Sequence, residues 1–168
     1  MHTINTTHDA AQMRELFRLA ASWINNPAEF IYWTDRDFEF GKPIEDFLDN
    51  GRPQEVVSLS QNGQMVAYAE LHRNSFGWVI ARVLVHPSCR GQGLARLVMK
   101  ACADRVFEKY FVVSLFCVLD NIAALSLYKS LGYASLEKYP DQNMQRMSLI
   151  NPILKSASQV APEVSTSK

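Results

Sequence analysis

The chain has 168 residues, 48% of them hydrophobic, and its 17 basic residues balance 17 acidic ones for a formal net charge of zero. That length suits a single domain with a sizeable core, and the neutral balance argues against nucleic acid as the principal partner, since such domains usually carry a basic excess. No apolar run approaches membrane-spanning length, the first residues lack the charged-then-apolar pattern of a leader, and Cys89, Cys102 and Cys117 lack the paired spacing of a disulfide framework or a zinc site. A cytoplasmic protein with no metal and no membrane partner is expected. From the N-terminus, a short strand is predicted near Thr3 to Thr6, then a helix capped near Thr7 to Asp9 whose apolar face is Met13, Leu16, Phe17 and Ala20. The stretch Trp23 to Leu48 is unusual: it sets Trp23, Phe30, Tyr32, Trp33, Phe38, Phe40 and Phe47 among Asp35, Asp37, Glu39, Glu45 and Asp46, and Pro43 suggests a short second helix over Ile44 to Leu48. A β-meander follows. Val56 to Ser60 and Met65 to Leu71 flank Gln61-Asn62-Gly63-Gln64, where Asn-Gly is a strong hairpin signal; Asn74 to Gly77 makes the next turn, and Trp78 to Val85 is the third strand.

That strand runs through His86-Pro87-Ser88-Cys89 into Arg90-Gly91-Gln92-Gly93-Leu94-Ala95-Arg96 and a helix. Leu94, Leu97, Val98, Ala101 and Cys102 recur at helical period, with Arg96, Lys100 and Asp104 on the polar side. Backbone N–H groups of a first turn at Gly93 to Arg96 have no partner inside the helix, and the helix dipole adds about half a positive charge, so an anion is stabilised there. Gly91 and Gly93 clear its approach. A mononucleotide loop would need Lys and Ser/Thr where Leu94 and Ala95 stand. A dinucleotide fingerprint starting at Gly91 would put Arg96 at its last small position, and no carboxylate stands near position 113 to hold a ribose. The pattern Arg/Gln-x-x-Gly-x-Gly/Ala is met in full by Arg90, Gly93 and Ala95. At these residues the chain resembles the GCN5-related N-acetyltransferase (GNAT) superfamily, whose acyl-coenzyme A loop has this form.

Further on, Phe111 to Val118 is a β-rich apolar run. Asp120-Asn121 caps a helix with the stripe Ala124, Leu127, Tyr128 and Leu131, and Gly132 ends it. The segment Asn121 to Tyr133 resembles the same superfamily's later motif, in which an Asn opens the helix and a Tyr follows seven residues on. Tyr133 to Tyr139 and Met144 to Leu149 are predicted as final strands. Residues 1–150 read as one domain, and Asn151 to Lys168, rich in Ser, Ala and Pro, as a flexible tail. The likeness is carried by Met65 to Tyr133; the first sixty residues match in element order alone.

The resemblance implies an α/β fold with a mixed, mostly antiparallel central sheet flanked by helices, in which the strands Trp78 to Val85 and Phe111 to Val118 lie parallel and splay apart around acetyl-coenzyme A. It implies that Val83, Leu84 and Val85 lend backbone groups to the pantetheine arm and the thioester oxygen. Arg90, Gly91, Gln92, Gly93, Leu94, Ala95 and Arg96 would hold the pyrophosphate, Asn121 would bond the pantetheine amides, and Tyr128 would give the departing thiolate its proton. Each assignment has a plainer counterpart: Asn121 as a helix cap, Tyr128 as a core tyrosine, Arg96 and Lys100 as a solvated face. Some relatives carry a Glu base five residues before the Asn, but Phe116 stands there, so Glu70 is the expected base, acting through water, with His72 and His86 as alternatives. Cys102 and Cys117 read as core and Cys89 as a bystander thiol. Trp23 to Leu48 corresponds to the superfamily's variable substrate wall, where aromatics with Asp35, Asp37 and Glu39 would suit a cationic amine.

The expected function is acetyl-coenzyme A-dependent N-acetyl transfer to a primary amine of a small molecule, peptide or protein, by direct attack; a homodimer stays open. The first rival is a non-catalytic acyl-coenzyme A binder that senses the ligand or serves a partner. The second is a nucleotide-binding oxidoreductase, against which Arg96 and the missing ribose carboxylate count.

Overall fold

The computed structural model describes residues 1–34, 40–41 and 53–153; the helix expected over 44–48, the side chains of Asp35, Asp37, Phe38, Glu39, Glu45, Asp46 and Phe47, and the tail from residue 154 lie outside the described residues. In chain order the described elements are β1 (His2–Thr7), α1 (Ala10–Ala21), α2 (Pro27–Trp33), β2 (Glu55–Gln61), β3 (Gln64–Asn74), β4 (Gly77–Val85), α3 (Leu94–Phe107), β5 (Val112–Val118), α4 (Ile122–Ser130), β6 (Ala134–Tyr139) and β7 (Met144–Ile150). Asp9 caps α1, its carboxylate accepting the Gln12 N–H at 2.8 Å.

Hydrophobic periodicity does not mark α2 in the sequence. Its start carries a complete signal: Asn26 accepts the Glu29 N–H at 2.8 Å, Pro27 occupies the first turn, and Glu29 follows three residues after the cap. Seven residues make barely two turns, with Phe30 and Trp33 as their buried contacts, so no hydrophobic period builds up along them.

The seven strands form one sheet in the order β1-β2-β3-β4-β5-β7-β6. The β2–β3 hairpin closes on Asn62 and Gly63, both with positive φ (53° and 78°), the mirror-image turn that Asn-Gly favours. Neighbours pair antiparallel except β4 and β5, which run parallel over Trp78–Val113, Val79–Ser114 and Ile80–Leu115. Beyond Ile80, β4 continues to Val85 without β5, which pairs with β7 as far as Val118. This is the expected mostly antiparallel sheet with one splayed parallel pair.

Alternate residues of β2 and β3 enter different cores, as the two-residue period of a strand requires. Val57, Leu59, Ala67, Ala69 and Leu71 pack with Leu94, Val98, Met99 and Cys102 of α3 and Leu125 of α4. Val56 and Tyr68 pack with Met13, Phe17 and Ala20 of α1 and Phe30 and Trp33 of α2. Gly132, at φ 92°, ends α4 in a double cap: Gly132 N–H donates to the Lys129 carbonyl at 3.0 Å and Tyr133 N–H to the Tyr128 carbonyl at 3.1 Å.

Between β3 and β4 the register slips. Tyr68 faces Leu84 while Glu70 faces Ala81, so Arg82 and Val83 together oppose Ala69, and Arg82 adopts φ 52°. A non-glycine residue there costs of order 1 kcal/mol and is held by its surroundings. Contacts that hold it include the Arg82 carbonyl accepting the Trp33 Nε1–H at 2.9 Å and its guanidinium donating to Glu70.

Candidate active site

A cavity of about 1240 Å³ follows the gap between β4 and β5, from the glycine loop at one end to His72, Arg73 and Phe116 at the other, with Tyr32 and Trp33 of α2 on one wall and Asn121, Leu127 and Tyr128 on another. At its loop end Pro87–Cys89 forms a single 3-10 turn, then Gly91 and Gly93 both adopt φ 77°. A side-chain carbon built on either glycine would meet nothing within 4 Å, because both border the cavity. Gly93 caps α3 with no side-chain hydrogen bond, so the first-turn N–H groups keep their donors for a ligand. Open glycines, an uncapped helix start and a long apolar gap fit a pyrophosphate with a pantetheine arm.

The side chains around this loop are engaged elsewhere. Arg90 donates to Glu29 on α2 and, through Nε, to the Val85 carbonyl at 3.2 Å. Arg96 donates to Ser130 Oγ at 2.6 Å, joining the start of α3 to the end of α4. With both guanidiniums so engaged, backbone N–H groups are the donors that the loop offers to an anion. Gln92 is exposed; Leu94, at 2% exposure, is core as well as cavity wall.

Val83, Leu84 and Val85 all border the cavity on the stretch of β4 that has parted from β5. Asn121 does cap α4, accepting the Ala124 N–H at 3.2 Å. Losing that cap costs about 1 kcal/mol. Asn121→Ala is therefore expected to lower thermal stability by that amount, and any further loss of acetyl-coenzyme A affinity, read by calorimetry, reports its amide's contact with the ligand.

Tyr128 faces the cavity with its ring 6.1 Å from that of Tyr133. Burial, with a smaller contribution from Cys117, pushes its phenol well above the ordinary tyrosine value, so it is fully protonated at neutral pH. Cys102 and Cys117 are buried in the core, where burial pushes the Cys117 thiol up to about 11. Cys89 is partly exposed beside the loop.

Glu70 is placed elsewhere. It is 1% exposed and does not border the cavity; its carboxylate accepts the Tyr68 hydroxyl at 2.7 Å, contacts His72 Nε2 at 2.5 Å and pairs with Arg82. Burial alone would push the Glu70 carboxyl up, but the His72 hydrogen bond and the Arg82 charge, aided by His72 and Tyr68, bring it below its ordinary value. His72 stands between this buried group and the cavity, which it borders. His86 lies outside the cavity wall, its ring edge-on to Trp23 and its Nδ1 2.8 Å from Ser88 Oγ. Of the aromatics expected in the substrate wall, Trp23 and Phe30 are core, Trp33 is core and also borders the cavity, and Tyr32 reaches the cavity half-exposed. The carboxylates Asp35, Asp37 and Glu39 expected beside them lie outside the described residues. No cluster of metal-ligating side chains occurs among the described residues, and none of their helices is long and apolar enough to cross a membrane.

A model of the Acetyltransferase (GNAT) family matches residues 11–133. The ribosomal protein bS18-alanine N-acetyltransferase of Escherichia coli K12 is 29% identical over 116 residues, which cover 68% of this chain and 72% of that protein. Its fold is also similar: the crystal structure of the Escherichia coli ribosomal-protein-S18-alanine N-acetyltransferase superposes with a TM-score of 0.64 at 21% identity, over 89% of this chain and 94% of the other. The GNAT domain of S. lividans PAT superposes at 0.68 with 12% identity, over 88% and 89%. The yncA protein of Salmonella typhimurium, solved with its cofactor acetyl-CoA, superposes at 0.63 with 19% identity, over 89% and 94%.

Proposed function

Since this chain belongs to the acetyltransferase (GNAT) family and uses acetyl-coenzyme A as co-substrate, we propose that it moves the acetyl group to a primary amine by direct attack, and that the amine is the N-terminal α-amine of a protein or peptide. The observation that carries the transfer chemistry is the continuous cavity joining the glycine loop, the parted stretch of β4 and Tyr128. The choice of an α-amine rests on the relatives named for acetylating the alanine of a ribosomal protein.

In this reading the loop N–H groups at Gly91 to Arg96 hold the pyrophosphate, and Val83 to Val85 align the arm and offer backbone donors to the thioester oxygen as it gains charge. Tyr128, kept protonated by burial, supplies the proton the sulfur needs as the thiolate leaves. Tyr128→Phe is expected to lower kcat about 100-fold, the lower end of general-acid contributions, with acetyl-coenzyme A affinity unchanged. A sensor that only binds the ligand would be indifferent to that change.

The test is an incubation with acetyl-coenzyme A and a peptide that begins with a free alanine and carries an internal lysine, the modified nitrogen being located by mass spectrometry. Acetylation at the α-amine is the expected result. Modification at lysine alone would redirect the proposal to side-chain amines, and tight binding without turnover would favour the sensor.

A further inference from the structure

We propose that His72 is the base that takes the proton from the acceptor ammonium, with Glu70 as the positioning residue that holds its ring. This inference rests on the transferase reading above and names the residue which that reading lacks. Glu70 has no free route to an amine: Oε1 accepts from Tyr68 at 2.7 Å, Oε2 is shared by Arg82 and His72, and the side chain is 1% exposed. His72 is its outlet. The imidazole is 21% exposed, touches Glu70 through Nε2 and is the one histidine bordering the cavity among the described residues. Glu29, the single carboxylate bordering the cavity among the described residues, is tied to Arg90 near the glycine loop.

Position and tautomer agree. His72 pairs in register with Val79, one residue before Ile80, so it sits beside the point where β4 and β5 part. A carboxylate at Nε2 selects the tautomer with the proton on that nitrogen and leaves the Nδ1 lone pair to accept another. The Arg82 guanidinium nitrogen 3.3 Å from Nε2 has only N–H to offer, so the two donors, Arg82 N–H and His72 Nε2–H, converge on Glu70 rather than on each other.

The proton count closes. An N–H bond of the ammonium breaks and an Nδ1–H bond forms; the freed lone pair attacks the thioester carbon. The C–S bond breaks with its electrons going to sulfur. The second nitrogen proton reaches that thiolate through Tyr128, which gives its phenol proton and takes the nitrogen's in return. The imidazolium then returns its proton to water, for a net release of one.

The experiment compares full-length wild type with His72→Gln and His72→Ala on two nucleophiles: the free-alanine peptide, largely ammonium at neutral pH, and semicarbazide, a weak base that arrives neutral. Removing a base should cost about 100-fold in kcat with the peptide, the lower bound for general-base catalysis, and no more than a few-fold with semicarbazide. Acetyl-coenzyme A affinity should match wild type, and a thermal melt of each variant, lowered by the loss of a Glu70 partner, checks that it remains folded at the assay temperature, which separates catalysis from folding. Equal losses with both nucleophiles, or no loss, would overturn the base while leaving the transferase reading intact. Wild-type protein that binds acetyl-coenzyme A yet acetylates neither nucleophile would overturn both.

Discussion

Gly93→Asp is expected to weaken acetyl-coenzyme A binding by at least about 100-fold, because a unit charge placed ~4 Å from a phosphate charge costs about 4 kcal/mol at an effective dielectric near 20, and each 1.4 kcal/mol is tenfold. Gly93 is the last residue before α3, its side-chain position opens into the cavity, and the uncapped first turn behind it offers its N–H groups there. An aspartate would also cap those N–H groups, competing for the donors the phosphate needs. The fold should tolerate it. The added carbon meets nothing within 4 Å, and aspartate accepts the left-handed conformation at modest cost. Gly93→Ala isolates the backbone term from the charge: it should retain most of the affinity while paying a conformational cost at least as large. Calorimetric titration of both variants, beside a thermal melt, checks the prediction; unchanged affinity in a folded Gly93→Asp protein would remove the phosphate assignment from this loop.

The second large effect is on stability. Glu70→Ala is expected to cost about 3–5 kcal/mol, the range for breaking a buried ion pair by removing one partner. It takes the carboxylate from Arg82, from the His72 ring and from the hydroxyl of Tyr68, which is fully buried. Arg82 also carries the positive φ of the β4 bulge, so losing its anchor loosens the strand segment that borders the cavity. Glu70→Gln, which keeps a similar shape and an acceptor oxygen, should cost less. Acid supplies an independent check. Because the folded protein holds the Glu70 carboxyl below its ordinary value, this stabilisation is fully present above the unfolded-state pKa of about 4.3 and drains as pH falls through it towards the lower native value. Urea melts at neutral pH and in that acid window should show wild type converging on Glu70→Gln as the medium is acidified.

Much of this architecture is written in short-range signals. Asn62-Gly63 demands a tight turn, Gly132 a helix stop, and an apolar strand followed by Arg90, Gly91 and Gly93 a glycine loop that opens a helix, each by the conformation of a few adjacent residues. What was not legible depends on contacts far along the chain. The bulge at Arg82 has no glycine or asparagine to mark it, since it is held by Trp33 and Glu70, 49 and 12 residues away. The two-residue alternation puts Tyr68, Glu70 and His72 on one face, but the depth of Glu70 is set by Arg82 arriving from the next strand. The motif position of Arg90 likewise gives no sign of its partner Glu29, which sits 61 residues earlier, on a helix too short to show a period.

The sheet separates two cores that share no buried residue, and this division has a consequence for how such a protein can diverge. The glycine loop that opens α3 brings main-chain groups to the cavity, whereas α2, in the other core, brings the side chains of Glu29, Tyr32 and Trp33 to it. Under the proposed transfer, mutation at Tyr32 and its neighbours can therefore reshape that part of the cavity without disturbing the packing behind the glycine loop. A new preference can arise in one layer while the other continues to deliver the same acetyl group.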